Sequence, residues 1–400
     1  MAKKEKNIKN YLPVLIPLIA AVVVVSVLAV SGKVTSKIAE NREPTITQEN
    51  VTEAVTESQK DAKVTLVAVG DNLIHNTLIS AGEQEDGSYN YDSLYDEAKK
   101  YIEPADIAII DQETVLGGKD FPYTGYPMFN SPWEIGEASI GAGFDIFTCA
   151  NNHILDMGSK GIENEKAFFA KHPEVMAIGT NLSDEDYNKI NYYEKNGIKF
   201  ALLNYTNSTN GIPIPDDKPY LVNMLEKEKV TKDIKIARQN ADVVIVFPHW
   251  GTENSHDINE EQKEYVKLFS NLGVDMVIGC HPHVLQPVEW VKNEKTGKKM
   301  IVYYSLGNFI SHQINLYQMC GGMAEITVER KDGEIEITNA KLAPLVDYYT
   351  NVGGKYEFDV YKLSEYNDDL AAKQAQSGAT VDYFTKLAKD VISEDFLDLS

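Results

Sequence analysis

The chain has 400 residues, 43% of them apolar and 10% aromatic, enough for a large core, so wholesale disorder is excluded. Sixty acidic against 38 basic residues give a net charge of −22, which excludes a nucleic-acid binder that relies on phosphate contacts. Three cysteines are too few, and odd in number, for a disulfide scaffold.

The first ten residues carry Lys3, Lys4, Lys6 and Lys9 against Glu5. Tyr11–Val30 then contains no charge at all. As a helix, twenty such residues span about 30 Å, the thickness of a bilayer core. Residues 11–31 therefore read as a transmembrane signal anchor, with the lysines of residues 1–10 holding the N-terminus in the cytoplasm. A cleaved signal peptide is the rival reading, because Ala29-Val30-Ser31 loosely fits a small-residue cleavage site. Residues 32–62 lack aromatic side chains and are rich in Thr, Glu, Asn and Gln, which predicts a disordered stalk. Without residues 1–32, which hold four lysines and one glutamate, the charge is −25.

From Val64 onward short apolar runs alternate with amphipathic segments. Strands are predicted at Val64–Val69, Ile107–Ile110, Ile146–Cys149, Val243–Phe247 and Met276–Ile278. Helices are predicted at Ser93–Ile102, Glu134–Ala142, Ile162–Lys171, Leu225–Asn240 and Glu260–Leu272, the last with Asn259 and Gln262 at capping-box spacing. Asn196-Gly197, Thr296-Gly297 and Asp332-Gly333 each sit between two strand-like runs and predict hairpins. Continuous apolar strands with helical crossovers indicate an α/β domain with mixed sheets over residues 63–346. Residues 347–400 form an acidic, Tyr-rich extension with two short helices.

The informative feature is the polar group at the end of each apolar run. Val64–Val69 ends in Gly70-Asp71-Asn72, with His75 one helical turn beyond Asp71. Ile107–Ile110 ends in Asp111-Gln112-Glu113, and Ile146–Cys149 in Ala150-Asn151-Asn152-His153. Val243–Phe247 ends in Pro248-His249-Trp250-Gly251, and Met276–Ile278 in Gly279-Cys280-His281-Pro282-His283. In an open α/β sheet the carboxyl ends of the strands form the ligand crevice, so residues some 200 positions apart can meet there. Five of the eight histidines lie in these segments. Carboxylate, amide oxygen and imidazole together suit Mn²⁺, Fe or Zn²⁺. A pair of such ions needs a bridging carboxylate, for which Glu113 is the first choice and Asp111 the substitute. Taken singly, Asp71 reads as a helix cap, Asp111 and Glu113 as loop carboxylates, and Trp250 as packing. His281-Pro282-His283 and Asn151-Asn152-His153 are harder to explain that way. Cys149 and Cys280 read as buried small hydrophobes.

Taken in order, Val69-Gly70-Asp71, Glu113-Thr114, Asn151-Asn152-His153, Pro248-His249-Trp250-Gly251, Gly279-Cys280-His281-Pro282-His283 and Tyr304-Ser305-Leu306-Gly307-Asn308-Phe309 resemble the CapA family of bacterial capsule and poly-γ-glutamate synthesis proteins. That family looks like a branch of the calcineurin-like metallophosphoesterases. The resemblance implies a four-layer α/β/β/α sandwich, anchored in the cell membrane with its main domain outside the cell. It also implies a site of two divalent metal ions. Asp71 and His283 resemble ligands of one ion, with His75 in place of a histidine that normally lies nearer to Asp71. Glu113 stands where the family pattern has a bridging aspartate. Asn152, His249 and His281 resemble ligands of the second ion, and His153 the histidine that assists the leaving group. Asn151, Trp250 and Asn308 are expected beside the substrate.

The expected function is synthesis or export of an anionic capsule-type polymer or its precursor, by metal-assisted hydrolysis or transfer at a phosphoester or amide. The partners would be integral-membrane synthase or export proteins, and the lipid bilayer through residues 11–31. Two alternatives stand beside it: a non-catalytic polymer-holding scaffold, and a general phosphoesterase.

Overall fold

The computed structural model describes residues 60–400. The basic tail, the signal anchor and nearly all of the stalk lie outside the described residues. Among the described residues no helix is long and apolar enough to cross a membrane.

Within the described residues fourteen strands form two sheets. In chain order they are β1 (Ala62–Asn72), β2 (Ile107–Asp111), β3 (Ile146–Thr148), β4 (Met176–Ile178), β5 (Asn191–Lys195), β6 (Ile198–Thr206) and β7 (Val243–His249). Then come β8 (Met276–Ile278), β9 (Val288–Lys292), β10 (Lys299–Tyr303), β11 (Asn308–Ile310), β12 (Cys320–Lys331), β13 (Glu334–Val352) and β14 (Lys355–Lys362). The first sheet has the order β14-β13-β12-β1-β2-β3-β4, with β11 paired to the end of β1. The second has the order β5-β6-β7-β8-β10-β9. Neighbours from β1 through β4, and from β6 through β8 to β10, run parallel; β12, β13 and β14 pair antiparallel, as do β5 with β6 and β9 with β10. The sheets are therefore mixed, as the alternation of apolar runs and hairpins predicts.

Alternation along the strands sets the layers. In the second sheet Phe200, Leu202, Val243, Ile245, Met276, Ile278, Ile301 and Tyr303 point into the large core shared with the first sheet. Their neighbours Ala201, Leu203, Val244, Val246, Val277 and Val302 point the other way. There they meet Val230, Ile234 and Ala237 of the helix Lys227–Asn240, and Val266 and Phe269 of the helix Glu260–Leu272. Full burial of side chains of this size contributes about 1.5–3 kcal/mol each. The helix Glu260–Leu272 starts on the predicted capping box, with Asn259 and Gln262 exchanging side-chain and backbone hydrogen bonds, and stops at Gly273 in the left-handed region.

The three predicted hairpins are present, turning at Asn196-Gly197, around Gly297 and at Asp332-Gly333, each with positive φ. The segment predicted as one helix at Ser93–Ile102 is broken into a single turn, Asp92–Leu94, and a helix, Asp96–Ile102. β13 runs through residues 346 and 347 without interruption, and residues 347–400 supply the edge strand β14 as well as two short helices, Asp368–Lys373 and Val381–Val391.

Two glycines allow the strand ends to close together. A Cβ on Gly70 would lie 1.7 Å from the Gly307 carbonyl oxygen, and one on Gly279 would lie 2.2 Å from that of Tyr304. Any side chain at either position would push the β11 segment away from the strands that carry Asp71 and His281.

Glu165, on the helix Gly158–Phe169, braces the loop after β2: one carboxylate oxygen accepts from the Leu116 amide at 3.2 Å, and the other is buried without a partner. Burial pushes its carboxyl up to about 7 against that hydrogen bond. The folded state thus favours the protonated form, so this contribution to stability is present below the unfolded value near 4.5 and is lost as pH rises through about 7. Glu165→Gln should stabilise the protein at pH 8 by on the order of 1–3 kcal/mol and leave it unchanged at pH 4. Urea unfolding at the two pH values measures this, and equal effects at both would refute it.

Candidate metal centre

Strand register gathers the polar ends into two rows. Across the first sheet, Asp71 pairs with Asn308 on one side and Asp111 on the other, and Asp111 pairs with Thr148. Across the second, Thr206 pairs with His249, and His249 bridges to Cys280. The rows meet where the His281 amide donates to Asp71 Oδ1 at 3.2 Å. His283 Nδ1 lies 2.9 Å from Asp71 Oδ2, and His249 Nε2 lies 2.8 Å from Asn152 Oδ1. Both His281 and His283 have positive φ, 103° and 59°, a conformation that non-glycine residues adopt only when their surroundings enforce it. The rigid His-Pro-His turn thereby aims both rings inward.

Three groups of side chains have donor atoms mutually within 4.8 Å: Asp71 with Glu113 and His283, Glu113 with His249 and His281, and Asp71 with Asp111 and His249. Glu113 belongs to two of them. Its oxygens lie 3.7 Å from His283 Nδ1 and 3.6 Å from His249 Nε2. All these side chains are buried. Yet Asp111 Oδ2, both Glu113 oxygens, His249 Nδ1 and His281 Nδ1 have no hydrogen-bond partner. Buried lone pairs left unmatched are costly, and a divalent cation is what this donor set fits.

The electrostatics carry the same signature. Burial raises the Asp71 carboxyl and the charge of Glu113 raises it further, to about 6. Burial would lower His249 and His283, but the carboxylates outweigh it and hold them at about 10 and 9. Glu113 goes the other way: burial raises its carboxyl, but His283, His249 and His153 pull it well below the usual range. Burial and the neighbouring charges of His249 and His283 push His281 well down. In effect the imidazoles of His249 and His283 supply the positive charge that cations would otherwise bring.

Not every predicted residue belongs to this constellation. His75 is in none of the three groups; its Nδ1 lies 3.1 Å from the Leu73 carbonyl and 3.3 Å from the His312 amide, and its ring packs edge-on to Phe129. Burial lowers it to about 4. Trp250 is corrected from a substrate contact to a core residue: it is fully buried, stacks between Phe269 and Tyr304, and donates to the Tyr304 carbonyl at 2.9 Å. Asn151 is buried and ties down the turn, donating to the Gln112 carbonyl at 2.8 Å and accepting from the His153 amide at 3.0 Å. Asn308 is also buried, and its Oδ1 lies 3.1 Å from His283 Nδ1, so it orients that ring. Cys149, Cys280 and Cys320 are buried and unbonded.

Two residues of the site are absent from the sequence-based set. Asp156 Oδ2 lies 2.8 Å from His153 Nδ1 and also accepts from the Phe129 amide at 2.7 Å. This fixes the ring and leaves its Nε2 for the cleft. The i, i+3 spacing from His153 is the signal the sequence offers for it. Asn210, at φ 53°, accepts from Asn152 Nδ2 at 3.3 Å, and its own Nδ2 lies 3.4 Å from both nitrogens of His153. The Asn210-Gly211 pair signals a turn, but nothing local says where the amide points.

Fold and site define an α/β protein with a buried carboxylate–imidazole centre at the carboxyl edge of two sheets. The bacterial capsule synthesis protein family described as PGA_cap matches residues 65–313, a stretch that includes every residue of the centre, and the chain belongs to that family. The chain is 34% identical over 172 residues to the PGA biosynthesis protein CapA of Bacillus subtilis strain 168, covering 42% of this chain and 43% of that one. It is 34% identical over 179 residues to the capsule biosynthesis protein CapA of Bacillus anthracis, covering 43% and 41%. The match thus spans less than half of either relative. Among solved structures, the calcineurin-like phosphoesterase YfkN of Bacillus subtilis overlaps 71% of this chain and 91% of its own, at 14% identity and a TM-score of 0.40. That overlap is too loose to bear on activity.

If Glu113 is shared between two cations, Glu113→Gln should lower bound Mn²⁺ more than His283→Ala, as measured by elemental analysis after dialysis. Asn308→Ala should weaken Mn²⁺ affinity by about 10–100-fold by releasing the His283 ring. Metal retention unchanged in Glu113→Gln would refute the assignment.

Proposed function

We propose that the protein is a membrane-anchored member of its family, with its main domain outside the cell, serving synthesis or export of a capsule-type polymer such as poly-γ-glutamate. We read the fold as a four-layer metallophosphoesterase-type sandwich and the reaction as hydrolysis of a phosphoester. The observation that carries this reading is the set of five unpartnered buried donor atoms on Asp111, Glu113, His249 and His281, beside an Asp–His pair.

Asp71, Glu113 and His283 would hold one cation; Glu113, Asn152, His249 and His281 would hold the other. When bound, two divalent cations supply Lewis-acid activation of the scissile bond and of water. The rest falls to the chain. His153, its Nδ1 fixed by Asp156, carries a proton at Nε2 to the departing oxygen. Asn210 holds the Asn152 amide in place and covers the His153 ring. Phe129 packs edge-on to His153 with ring centroids 4.6 Å apart and keeps water from that side.

The test is turnover of phosphoesters by the Mn²⁺-loaded full chain. His153→Ala should lower kcat by roughly 10²–10⁴-fold with Mn²⁺ retained. Asp156→Asn should also lower kcat, with smaller effect on KM. Wild-type turnover no greater than that of His153→Ala would overturn the catalytic reading and leave a polymer-holding scaffold.

A further inference from the structure

The loops around the centre are nearly free of cationic side chains. Residues 73–75, 149–157, 250–259, 279–287, 304–307 and 311–319 contain no Lys or Arg. The two long connections, 112–132 and 207–226, contain one each, Lys119 and Lys218. Neither serves the centre. Lys218 pairs with Glu163 at 2.9 Å, on the outer helix Gly158–Phe169. Lys119 is exposed in the turn Gly118–Asp120, whose Asp120 accepts from Asn164 of that same helix at 3.1 Å. Of the carboxylates in these loops, Glu113 and Asp156 belong to the centre, Asp120 shares the Lys119 turn, and Glu253 is exposed and near enough to act on His283.

The approach is lined instead by amide and apolar groups. From His283 an amide chain runs outward: Asn308 Nδ2 donates to Gln313 Oε1 at 2.9 Å, and Gln318 Nε2 donates to Gln313 Oε1 at 2.9 Å and to Asn254 Oδ1 at 2.6 Å. Asn210 stands exposed across from it, over His153. Seven large apolar side chains are exposed among the described residues, and three of them are chain neighbours or ring partners of Phe129 and Gln313: Tyr126 at 73%, Met128 at 43% and Ile314 at 53%. Tyr126 packs edge-on to Phe129, which touches His153; Ile314 is next in the chain after Gln313.

We infer that the centre takes a phosphoester whose single anionic group is the one at the metals and whose carrier is uncharged and hydroxyl-bearing, rather than a polyanion. This rests on the proposed phosphoesterase reading and narrows its substrate. A second phosphate or carboxylate near the bound one would meet Glu253 and no lysine or arginine of these loops, at a cost in both affinity and association rate. Amides that both donate and accept, together with an exposed tyrosine ring packed on Phe129 beside His153, match hydroxyls on a ring. A sugar-type or polyol-type phosphoester has that chemistry, whereas a polyanion such as poly-γ-glutamate does not.

The experiment is calorimetric titration of the Mn²⁺-loaded full chain with inorganic phosphate, glucose 1-phosphate and glucose 1,6-bisphosphate at low salt. Glucose 1-phosphate should bind more tightly than the bisphosphate by on the order of tenfold. Ile314→Lys and Met128→Lys, at exposed rim positions, should narrow or reverse that gap with Mn²⁺ content unchanged. Bisphosphate binding as tightly as glucose 1-phosphate in the wild type would overturn the inference. So would phosphate binding without glucose 1-phosphate binding, while leaving the proposed activity standing. Binding of none of the three would remove the phosphoesterase reading, and this inference with it.

Discussion

Everything at the carboxyl edge of this protein depends on one electrostatic constraint. Asp71, Asp111 and Glu113 are buried side by side, and Asp111 Oδ2 and both Glu113 oxygens have no hydrogen-bond partner, only imidazole nitrogens 3.4–3.7 Å away. Isolated buried charge of this kind is among the most expensive features a fold can hold. The surrounding imidazoles relieve it in part, which is why His249 and His283 are held charged and His281 is not. The same donor set fits a divalent cation, which carries more positive charge than an imidazolium.

The backbone is arranged around that constraint. The glycines at 70 and 279 let the β11 segment come within van der Waals range of two strand ends. The left-handed histidines turn both rings into the same small volume. Asn151, Asn308 and Asp156 then lock the turn, the His283 ring and the His153 ring. These side chains do no chemistry themselves. They remove rotational freedom that the two rings would otherwise lose on engaging any ligand.

Much of the layout is legible in the residues alone. Buried parallel strands read as unbroken apolar runs, so the polar residue ending each run stands out, from Asp71 to His283. Asn196-Gly197 and Asp332-Gly333 announce their turns through residues that tolerate positive φ. Other parts have no local signature. β4 and β11 are three residues long, too short for any periodicity. β14 is a strand because β13 offers it an edge, and its tyrosines look equally at home in a tail. Trp250 sits directly after His249, but one step along the chain reverses the face, and it points into the helix-covered core. Asp156 and Asn210 act through loops whose path only the folded chain defines.

Asp71 and His283 stand 212 positions apart, Asp71 on β1 of one sheet and His283 in the loop after β8 of the other. Their meeting requires both sheets to be registered and closed, among the slowest kinds of contact for a chain to make. No cation can therefore template the early steps of folding here. A cation held by these residues would load as a terminal event, and its identity would be set by what is available in the compartment where the chain completes its fold, as much as by the ligands' own preference.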